Sequence, residues 1–177
     1  MTPSRIAMLI GAVLAVLFGI TTIFGSWYTI DQGERGVLLR NGAIIGVAEP
    51  GLGFKLPWID SVHRISLQSH VERYDKVETY SRDQQPADLV VSVNYRIPAD
   101  QVKAVYTTYG GVDNMVARIV HRKVMEQTKN VFGQFIAATA IQERARLNFV
   151  VSKAITESVQ HMGPILIESV QIENIDF

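Results

Sequence analysis

The residues that most often carry chemistry are few in this chain, and their spacing matches no common catalytic or metal-binding pattern. The four histidines, His63, His70, His121 and His161, lack the H-E-x-x-H arrangement that brings two imidazoles to one zinc ion. Neither the G-x-S-x-G elbow nor the S-x-x-K motif of serine nucleophiles occurs. A triad can be assembled from residues distant in sequence, so a hydrolase with an unrecognised site stays open. We predict no catalytic, cofactor-binding or metal-binding residue.

The composition narrows the class of protein further. Cysteine is absent, which excludes disulfides, thiolate nucleophiles and cysteine-ligated metal sites. Lysine and arginine together number 17, as do aspartate and glutamate, so the formal net charge is +0. Domains that bind nucleic acid usually carry a basic excess, and this balance gives no sign of one. We therefore predict that nucleic acid is not a partner.

The segment of residues 50–59 contains side chains that could have a role in binding. Its prolines and glycines predict a loop, yet this loop carries several large apolar groups. These groups either tuck under the domain as core or enter the interfacial layer of a membrane, where tryptophan and lysine are favoured. The second alternative gives a set of membrane-interface candidates, which includes two aromatic residues that precede the loop: Trp27, Tyr28, Leu52, Phe54, Leu56, Trp58 and Ile59.

The element that would hold this loop at a membrane is the apolar run of residues 6–24, which contains no charged side chain. A helix of this length would reach about 29 Å, close to the hydrocarbon thickness of a bilayer, roughly 30 Å. A cleavable signal peptide is the alternative, but its apolar region is shorter, about 7–15 residues, and ends in small residues. The corresponding positions here are Ile20, Ile23 and Phe24. We predict a retained transmembrane anchor within residues 1–27.

A stripe of small residues follows the same predicted helix. Its members recur every four positions and therefore lie on one helix face: Ala7, Gly11, Ala15 and Gly19. Such stripes let two transmembrane helices approach closely, although glycine and alanine are also common in membrane helices without this role. We predict helix packing on this face. The lysines and arginines near the two ends of the run are too evenly balanced to fix its orientation.

After the anchor, residues 28–98 follow the two-residue period of β-strands. Short apolar runs at residues 36–40 and 43–47 flank Asn41-Gly42, a strong signal for a tight hairpin turn. Alternation of side chains between two faces predicts further strands at residues 62–67, 71–79 and 88–97. The alternation is weaker at 71–79 and strongest at 88–97, where Pro98 ends the strand.

Residues 99–177 change to helical spacing. One helix is predicted around residues 112–124 with Asp113 as its N-cap. A second helix begins near Thr139, where Thr139-Ala-Ile-Gln matches the capping-box pattern.

A closing strand completes the pattern. Gly163-Pro164 ends the second helix, and residues 165–172 return to a strand whose apolar positions change parity at a bulge near Ser169. Strands first, helices later and a closing strand describe an α+β domain.

Several motifs, taken in order, resemble one known family. They are Y-T-I-D-Q-G-E-R-G-V at 28–37, E-P-G-L-G-F-K-L-P-W-I-D at 49–60, T-Y-S-R-D at 79–83, V-S-V-N-Y-R-I at 91–97 and V-Q-I-E-N-I at 170–175. Their order and spacing resemble the stomatin/prohibitin/flotillin family, also called SPFH or band 7. Within it, the chain looks most similar to the prohibitins and to the bacterial HflK/HflC-type proteins that regulate a membrane AAA protease.

This resemblance implies a domain organisation and a role. It predicts an SPFH domain at residues 28–177, with a strand-rich part at 28–98 and a helical part at 99–177. Family members continue into a long helical segment that forms coiled coils, which this chain lacks. The implied function is a membrane-anchored scaffold whose copies, with or without a homologous subunit, pack laterally into a ring or cage. Such an assembly organises membrane microdomains and regulates access to membrane proteins such as an AAA protease.

The resemblance also implies a location, the bacterial inner membrane with the domain on the periplasmic side and the lipid bilayer as a partner. Two alternatives stay open beside the scaffold. One is a membrane-tethered hydrolase with an unrecognised site, and the other is a monomeric adaptor for one membrane partner. Without the coiled coil, we expect the chain to be largely monomeric or heterogeneous in detergent.

Overall fold

The computed structural model describes residues 3–177, with side chains given for residue 8 and for residues 10–177. The chain divides into two compact units, Met1–Ile65 and Ser66–Phe177, which we call unit 1 and unit 2. Strands dominate the first part of the described chain, and helices followed by a closing strand form the second. The predicted α+β class is therefore confirmed.

Unit 1 combines a long helix with short strands. In its described part the elements are α1 (Pro3–Gly25), β1 (Trp27–Ile30), β2 (Glu34–Arg40), β3 (Ala43–Ala48), β4 (Gly51–Phe54) and β5 (Asp60–Ser66). β1 pairs with β4 in a two-stranded antiparallel ribbon, and β3, β2 and β5 form a separate sheet in that order. The predicted Asn41-Gly42 hairpin joins β2 to β3, with positive φ angles of 48° and 84° as a type I′ turn requires.

Helix α1 covers the predicted anchor. Its 23 residues carry no acidic residue in the first turn and no basic residue in the last turn. Among the residues that the structure describes, no helix combines the length and hydropathy needed to cross a bilayer. The transmembrane anchor is therefore not confirmed and stays a prediction.

Unit 2 is a three-stranded antiparallel sheet with helices. Its elements in chain order are β6 (His70–Tyr80), β7 (Pro86–Arg96), α2 (Val102–Tyr109), α3 (Val112–Met115), α4 (His121–Phe132), α5 (Ala137–Gln142), α6 (Arg144–Gln160) and β8 (Leu166–Asp176). A 3₁₀ turn, Ala99–Gln101, precedes α2, and a π-helical turn, Val116–Val120, joins α3 to α4. β7 lies between β6 and β8, while α4 packs on β6 and α6 packs on β8.

The core of unit 2 follows from the alternation of β7. The face that we predicted for this strand is buried throughout: Leu89, Val91, Val93, Tyr95 and Ile97. The predicted bulge in β8 is also confirmed. Asn94 pairs with Ser169 and the next residue, Tyr95, pairs with Ile167, which leaves Glu168 outside the register. This extra residue restores apolar side chains to the core face on both sides of the bulge.

Three local predictions are wrong. Residues 51–54 form β4 instead of a loop, because β1 supplies a pairing partner that the sequence pattern does not reveal. Asp113 lies inside the first turn of α3, where a carboxylate suits the helix dipole, while Gly111 is the N-cap. Thr139 is not a cap either, since α5 begins at Ala137, whose N–H donates to Asp83 Oδ1 over 3.0 Å.

Candidate functional site

A patch of large apolar side chains lies on the surface of unit 1. We call it the apolar patch, and its members are Trp27, Leu52, Phe54, Leu56, Trp58 and Ile59. The exposed fraction reaches 75% for Trp58 and 66% for Phe54. Tyr28, the remaining member of the predicted set, is half-buried. The patch is therefore not the core of unit 1, so the first of the two alternatives for residues 50–59 is wrong.

The pairing of β1 with β4 builds half of the patch. Trp27 lies opposite Phe54, and Thr29 lies opposite Leu52. Residues directly opposite each other share one face of an antiparallel ribbon. The rings of Trp27 and Phe54 contact each other with centroids 4.5 Å apart. Trp27, Leu52 and Phe54 therefore present one continuous apolar face.

The other face of the same ribbon explains why Tyr28 differs from its neighbours. Tyr28 lies opposite Gly53, and its ring crosses the strand there. A Cβ atom added at Gly53 would clash with Cζ and Oη of Tyr28, so the ring would have to move. Glycine at this position therefore permits the close approach that half-buries Tyr28.

Trp58 reaches the patch through an unusual backbone conformation. Its φ of 73° lies in the left-handed region, which costs a bulky residue on the order of 1–3 kcal/mol. The indole stacks on Phe18 of α1 with ring centroids 6.1 Å apart and planes inclined by 8°. The patch therefore continues onto the carboxyl-terminal half of α1.

A buried carboxylate holds the strained turn in place. Asp60 accepts hydrogen bonds from Nε and Nη2 of Arg40 at 2.8 and 3.0 Å, and from the Leu56 N–H at 2.9 Å. The Asp60 N–H in turn donates to the Leu56 carbonyl over 2.9 Å. A bidentate guanidinium and a backbone amide together fix both ends of the segment that carries Trp58.

The same contacts set the acidity of Asp60. The hydrogen bonds from Arg40 and from the Leu56 amide lower the pKa of this carboxyl from 3.8 to about 2. Arg40 and Asp60 are 20 residues apart, so no local pattern in the sequence points to their pairing. Sequence reasoning missed both residues for this reason.

A cavity of about 660 Å³ borders the patch in unit 1. Its wall combines aromatic and apolar residues, two of them from the patch, with polar and cationic ones: Trp27, Tyr28, Thr29, Leu52, Lys55, Val62, His63 and Arg64. The lining residues that the structure describes include no carboxylate. The local field therefore favours anionic groups beside the apolar patch.

The predicted packing stripe lies on α1. A Cβ atom added at Gly11 or at Gly19 would have no neighbour within 4 Å, and Ala15 is exposed. The Ala7 side chain lies outside the described residues. The described part of this face is therefore uncovered in a single copy of the chain.

Two histidines of unit 2 contact tyrosine rings. His70 stacks on Tyr95 and His121 lies against Tyr74, with ring centroids 5.9 and 5.3 Å apart. In the part of the chain that the structure describes, no group of three or more His, Cys, Asp or Glu could hold a metal ion.

A family model described as "SPFH domain / Band 7 family" matches residues 28–177. The chain therefore belongs to the SPFH/band 7 family, as the resemblance predicted.

Named relatives agree with this assignment. A stomatin homolog of Pyrococcus horikoshii is 26% identical over 164 residues, which cover 92% of this chain and 59% of the relative. Prohibitin 1 of Mus musculus is 28% identical over 170 residues, covering 94% and 60%. The modulator of FtsH protease HflC of Escherichia coli is 24% identical over 149 residues, covering 79% and 44%. The chain thus spans less than two thirds of the length of each of these relatives.

Proposed function

We propose that this chain is the membrane-facing part of a scaffold that assembles laterally, organises membrane microdomains and regulates access to proteins such as an AAA protease. The observation that carries the proposal is the apolar surface of unit 1, which joins the apolar patch to α1. Burying apolar surface contributes roughly 25 cal/mol per Å². Covering a surface of this kind with lipid or protein in place of water therefore lowers the free energy. Large exposed apolar patches accordingly mark interaction or membrane sites.

The side chains of α1 support insertion into a bilayer. Large apolar groups are exposed along its described length: Met8, Ile10, Val13, Leu14, Val16, Leu17, Phe18, Ile20, Ile23 and Phe24. Two polar groups in the described part of the same helix are satisfied internally. The hydroxyls of Thr21 and Thr22 both donate to the Phe18 carbonyl, at 3.0 and 2.7 Å. Internal satisfaction of this kind is what a helix needs in hydrocarbon, where no water is available.

The composition of the patch supports a position at the headgroup level. Tryptophan is enriched where hydrocarbon meets headgroups, because its ring is apolar and its N–H is polar. Trp27 and Trp58 both lie in the patch, and Lys55 and Arg64 line the adjacent cavity. The aliphatic stems of such cations can cover apolar surface while their charges reach lipid phosphates.

Assembly and partners are inferred from the family and from α1. We propose that residues 28–177 act as one SPFH domain behind the anchor, and that the stripe of Ala7, Gly11, Ala15 and Gly19 packs helix against helix. The Escherichia coli relative is named as a modulator of a protease, which supports a membrane protease as the partner. We place the domain on the periplasmic side of a bacterial inner membrane. Protease added to spheroplasts should then digest the chain beyond Trp27.

The two tryptophans of the chain make the membrane role directly testable, because both lie in the apolar patch. The variants Trp27→Phe and Trp58→Phe each leave one indole as the reporter. In lipid vesicles we expect each indole to be quenched by phospholipids brominated near the headgroup and protected from aqueous iodide. Free detergent-solubilised protein gives the reference spectrum.

A matched control comes from unit 2. Phe149 is 69% exposed, which is close to the values for Phe54 and Trp58. Phe149→Trp, in a chain that also carries Trp27→Phe and Trp58→Phe, should stay accessible to iodide in the same vesicles. Equal iodide quenching at positions 58 and 149 would contradict the proposal.

A further inference from the structure

A second cavity, of about 400 Å³, lies within unit 2. One wall is the sheet face formed by β6 and β7, and the other wall is the helical segment that runs from α3 through the π-helical turn into α4. The polar and aromatic groups that line it are Glu72, Tyr74, Tyr95, Asp113 and His121. Neither the proposed membrane role nor the family motifs assign a function to this cavity.

The strand register places the sheet residues together. Glu72 and Tyr74 are two residues apart on β6 and therefore point to the same face. His70 belongs to the same alternating set, and Tyr95 of β7 lies directly opposite it. Because residues directly opposite each other share a face, Tyr95 joins the same side of the sheet.

The π-helical turn aligns the two helical residues. The His121 N–H donates to the Val116 carbonyl, five residues earlier, instead of four as in an α-helix. Two α-helical turns take about 7.2 residues, and the longer ring adds roughly one residue. Asp113 and His121, which are eight residues apart, therefore come onto one face. Turns of this type are frequent at functional sites.

Tyr74 supplies an unused hydrogen-bonding group. The residue is only 7% exposed, and its hydroxyl has no hydrogen-bond partner. Burial, followed by the negative charge of Glu72, raises the pKa of Tyr74. Burial, Glu72 and Asp113 likewise raise the pKa of Tyr95. Both hydroxyls therefore stay protonated and neutral, so each oxygen can accept a hydrogen bond from a cation.

We propose that this cavity binds an organic ammonium group, carried either by a free amine or by a lysine side chain of a partner polypeptide. Two carboxylates, Glu72 and Asp113, supply the compensating charge, and the described lining contains no lysine or arginine. The aromatic faces of Tyr74 and Tyr95 attract cations through their ring quadrupoles. The inference does not depend on the membrane role, because every residue in it belongs to unit 2.

The chemistry argues against the other classes of ligand. An anion would face both carboxylates without a compensating cation. A hard metal ion such as Ca²⁺ takes about six to eight oxygen ligands, and the cavity offers aromatic rings where these would be needed. A compact ammonium group matches both the charge and the aromatic walls.

The experiment uses the full chain in a non-ionic detergent, with ¹³C-labelled tyrosine and histidine rings observed by NMR. The probes are methylammonium, a lysine amide acetylated at its α-nitrogen so that the side-chain ammonium is kept, and acetate as an anion of similar size. We expect saturable shifts at Tyr74, Tyr95 and His121 with both ammonium probes and none with acetate. A lower midpoint for the lysine amide would identify a polypeptide as the source, and equal midpoints would identify a free amine.

Variants separate binding from a general charge effect. Glu72→Gln and Asp113→Asn should each weaken binding by on the order of tenfold, because each replaces a charged acceptor with a neutral amide. Tyr74→Phe should weaken it by about fivefold, because it removes the hydroxyl acceptor. The control is Glu157→Gln on α6, which changes the charge equally at an exposed pair with Lys153, 3.9 Å away. It should leave the midpoints unchanged.

Two results would overturn the proposal. One is the absence of saturable shifts with either ammonium probe in a chain whose circular dichroism is that of the folded protein. The other is an unchanged midpoint in the double variant Glu72→Gln with Asp113→Asn.

Discussion

Units 1 and 2 use their apolar residues in opposite ways. In the described part of unit 1 the buried apolar residues are Ile30, Val37, Leu39 and Ile65, while exposed apolar side chains cover α1 and the patch. In unit 2 the apolar side chains are mostly buried. β7, α4 and α6 each bury an apolar stripe, and Phe132, Leu147 and Ile155 are fully enclosed.

The two units therefore differ in where their apolar side chains lie. Most of the buried apolar residues of the described chain belong to unit 2. Unit 1 leaves apolar surface outside and even holds Trp58 in a left-handed conformation to do so. Backbone strain of this kind persists where the surroundings over-determine it and is common at functional sites. We interpret the exposed apolar side chains of unit 1 as a surface built for contact.

The largest expected effect tests this contrast through stability. Phe132→Ala should lower the free energy of unfolding by ~3–5 kcal/mol, because the ring is completely buried. Trp58→Ala should change it by less than about 1 kcal/mol, as is usual for surface positions. Denaturant unfolding followed by circular dichroism, with m-values compared, measures both. A loss at Trp58 as large as that at Phe132 would mean that the patch is core after all.

The second prediction concerns α1. Leu14→Arg should raise the cost of membrane insertion by ~2.5–3.5 kcal/mol on translocon scales and reduce retention in carbonate-washed membranes. Leu14→Ala, which removes bulk without adding charge, is the control and should remain with the membranes. Recovery of a mature chain that begins after residue 24 would contradict the retained anchor.

The third prediction concerns the pH dependence of the turn in unit 1 that Asp60 holds in place. The pKa of Asp60 is lowered from 3.8 to about 2, so its contribution is complete above about pH 5 and is lost as the pH falls through about 2. Trp58 fluorescence in Trp27→Phe should therefore report loosening of the turn across this range. Asp60→Asn should show the loosened signal already at neutral pH and little further change on acidification.

A carboxylate of unit 2 provides the control for that experiment. The pKa of Asp83 is also lowered, by hydrogen bonds from the Ser81 hydroxyl and the Ala137 N–H. Asp83→Asn should leave the acid transition of Trp58 fluorescence the same as in the chain that carries only Trp27→Phe. An identical shift in both variants would show that the signal reports global unfolding.

The smallest effect on folding is expected at the stripe of α1. Gly11→Leu with Gly19→Leu should leave the circular dichroism unchanged, since no atom lies within 4 Å of either position. Light scattering in detergent should find the unaltered chain largely monomeric or heterogeneous, because a single lateral contact for each copy gains little from avidity. A discrete large ring from the unaltered chain would contradict this, and the double variant should then dissolve that ring.

Much of the fold could be predicted because its signals are local. The turn at Asn41-Gly42 and the alternation of β7 each occupy a few consecutive residues, and the bulge near Ser169 is visible as a change of parity. The apolar character of residues 50–59 is equally clear from the sequence. The sequence does not show whether these side chains are buried or exposed, because the same residues fit either outcome.

What could not be predicted depends on partners distant in sequence. β4 exists because β1 pairs with it across more than twenty residues, and α5 is capped by Asp83 rather than by Thr139. The Arg40–Asp60 pair and the unit 2 cavity are likewise assembled by tertiary structure. Propensity and capping patterns describe only a residue's near neighbours and cannot identify such pairs.

The π-helical turn of unit 2 has a consequence for the tolerance of this chain to changes in length. Such a turn is equivalent to one residue inserted into a regular helix, so deletion of Ala117 would leave enough chain for uninterrupted α-helical bonding. The residues on either side would keep their faces, because Asp113 and His121 would then be seven residues apart, about two turns of a regular α-helix. Loss of a single residue here should therefore spare both the fold and the helical wall of the cavity.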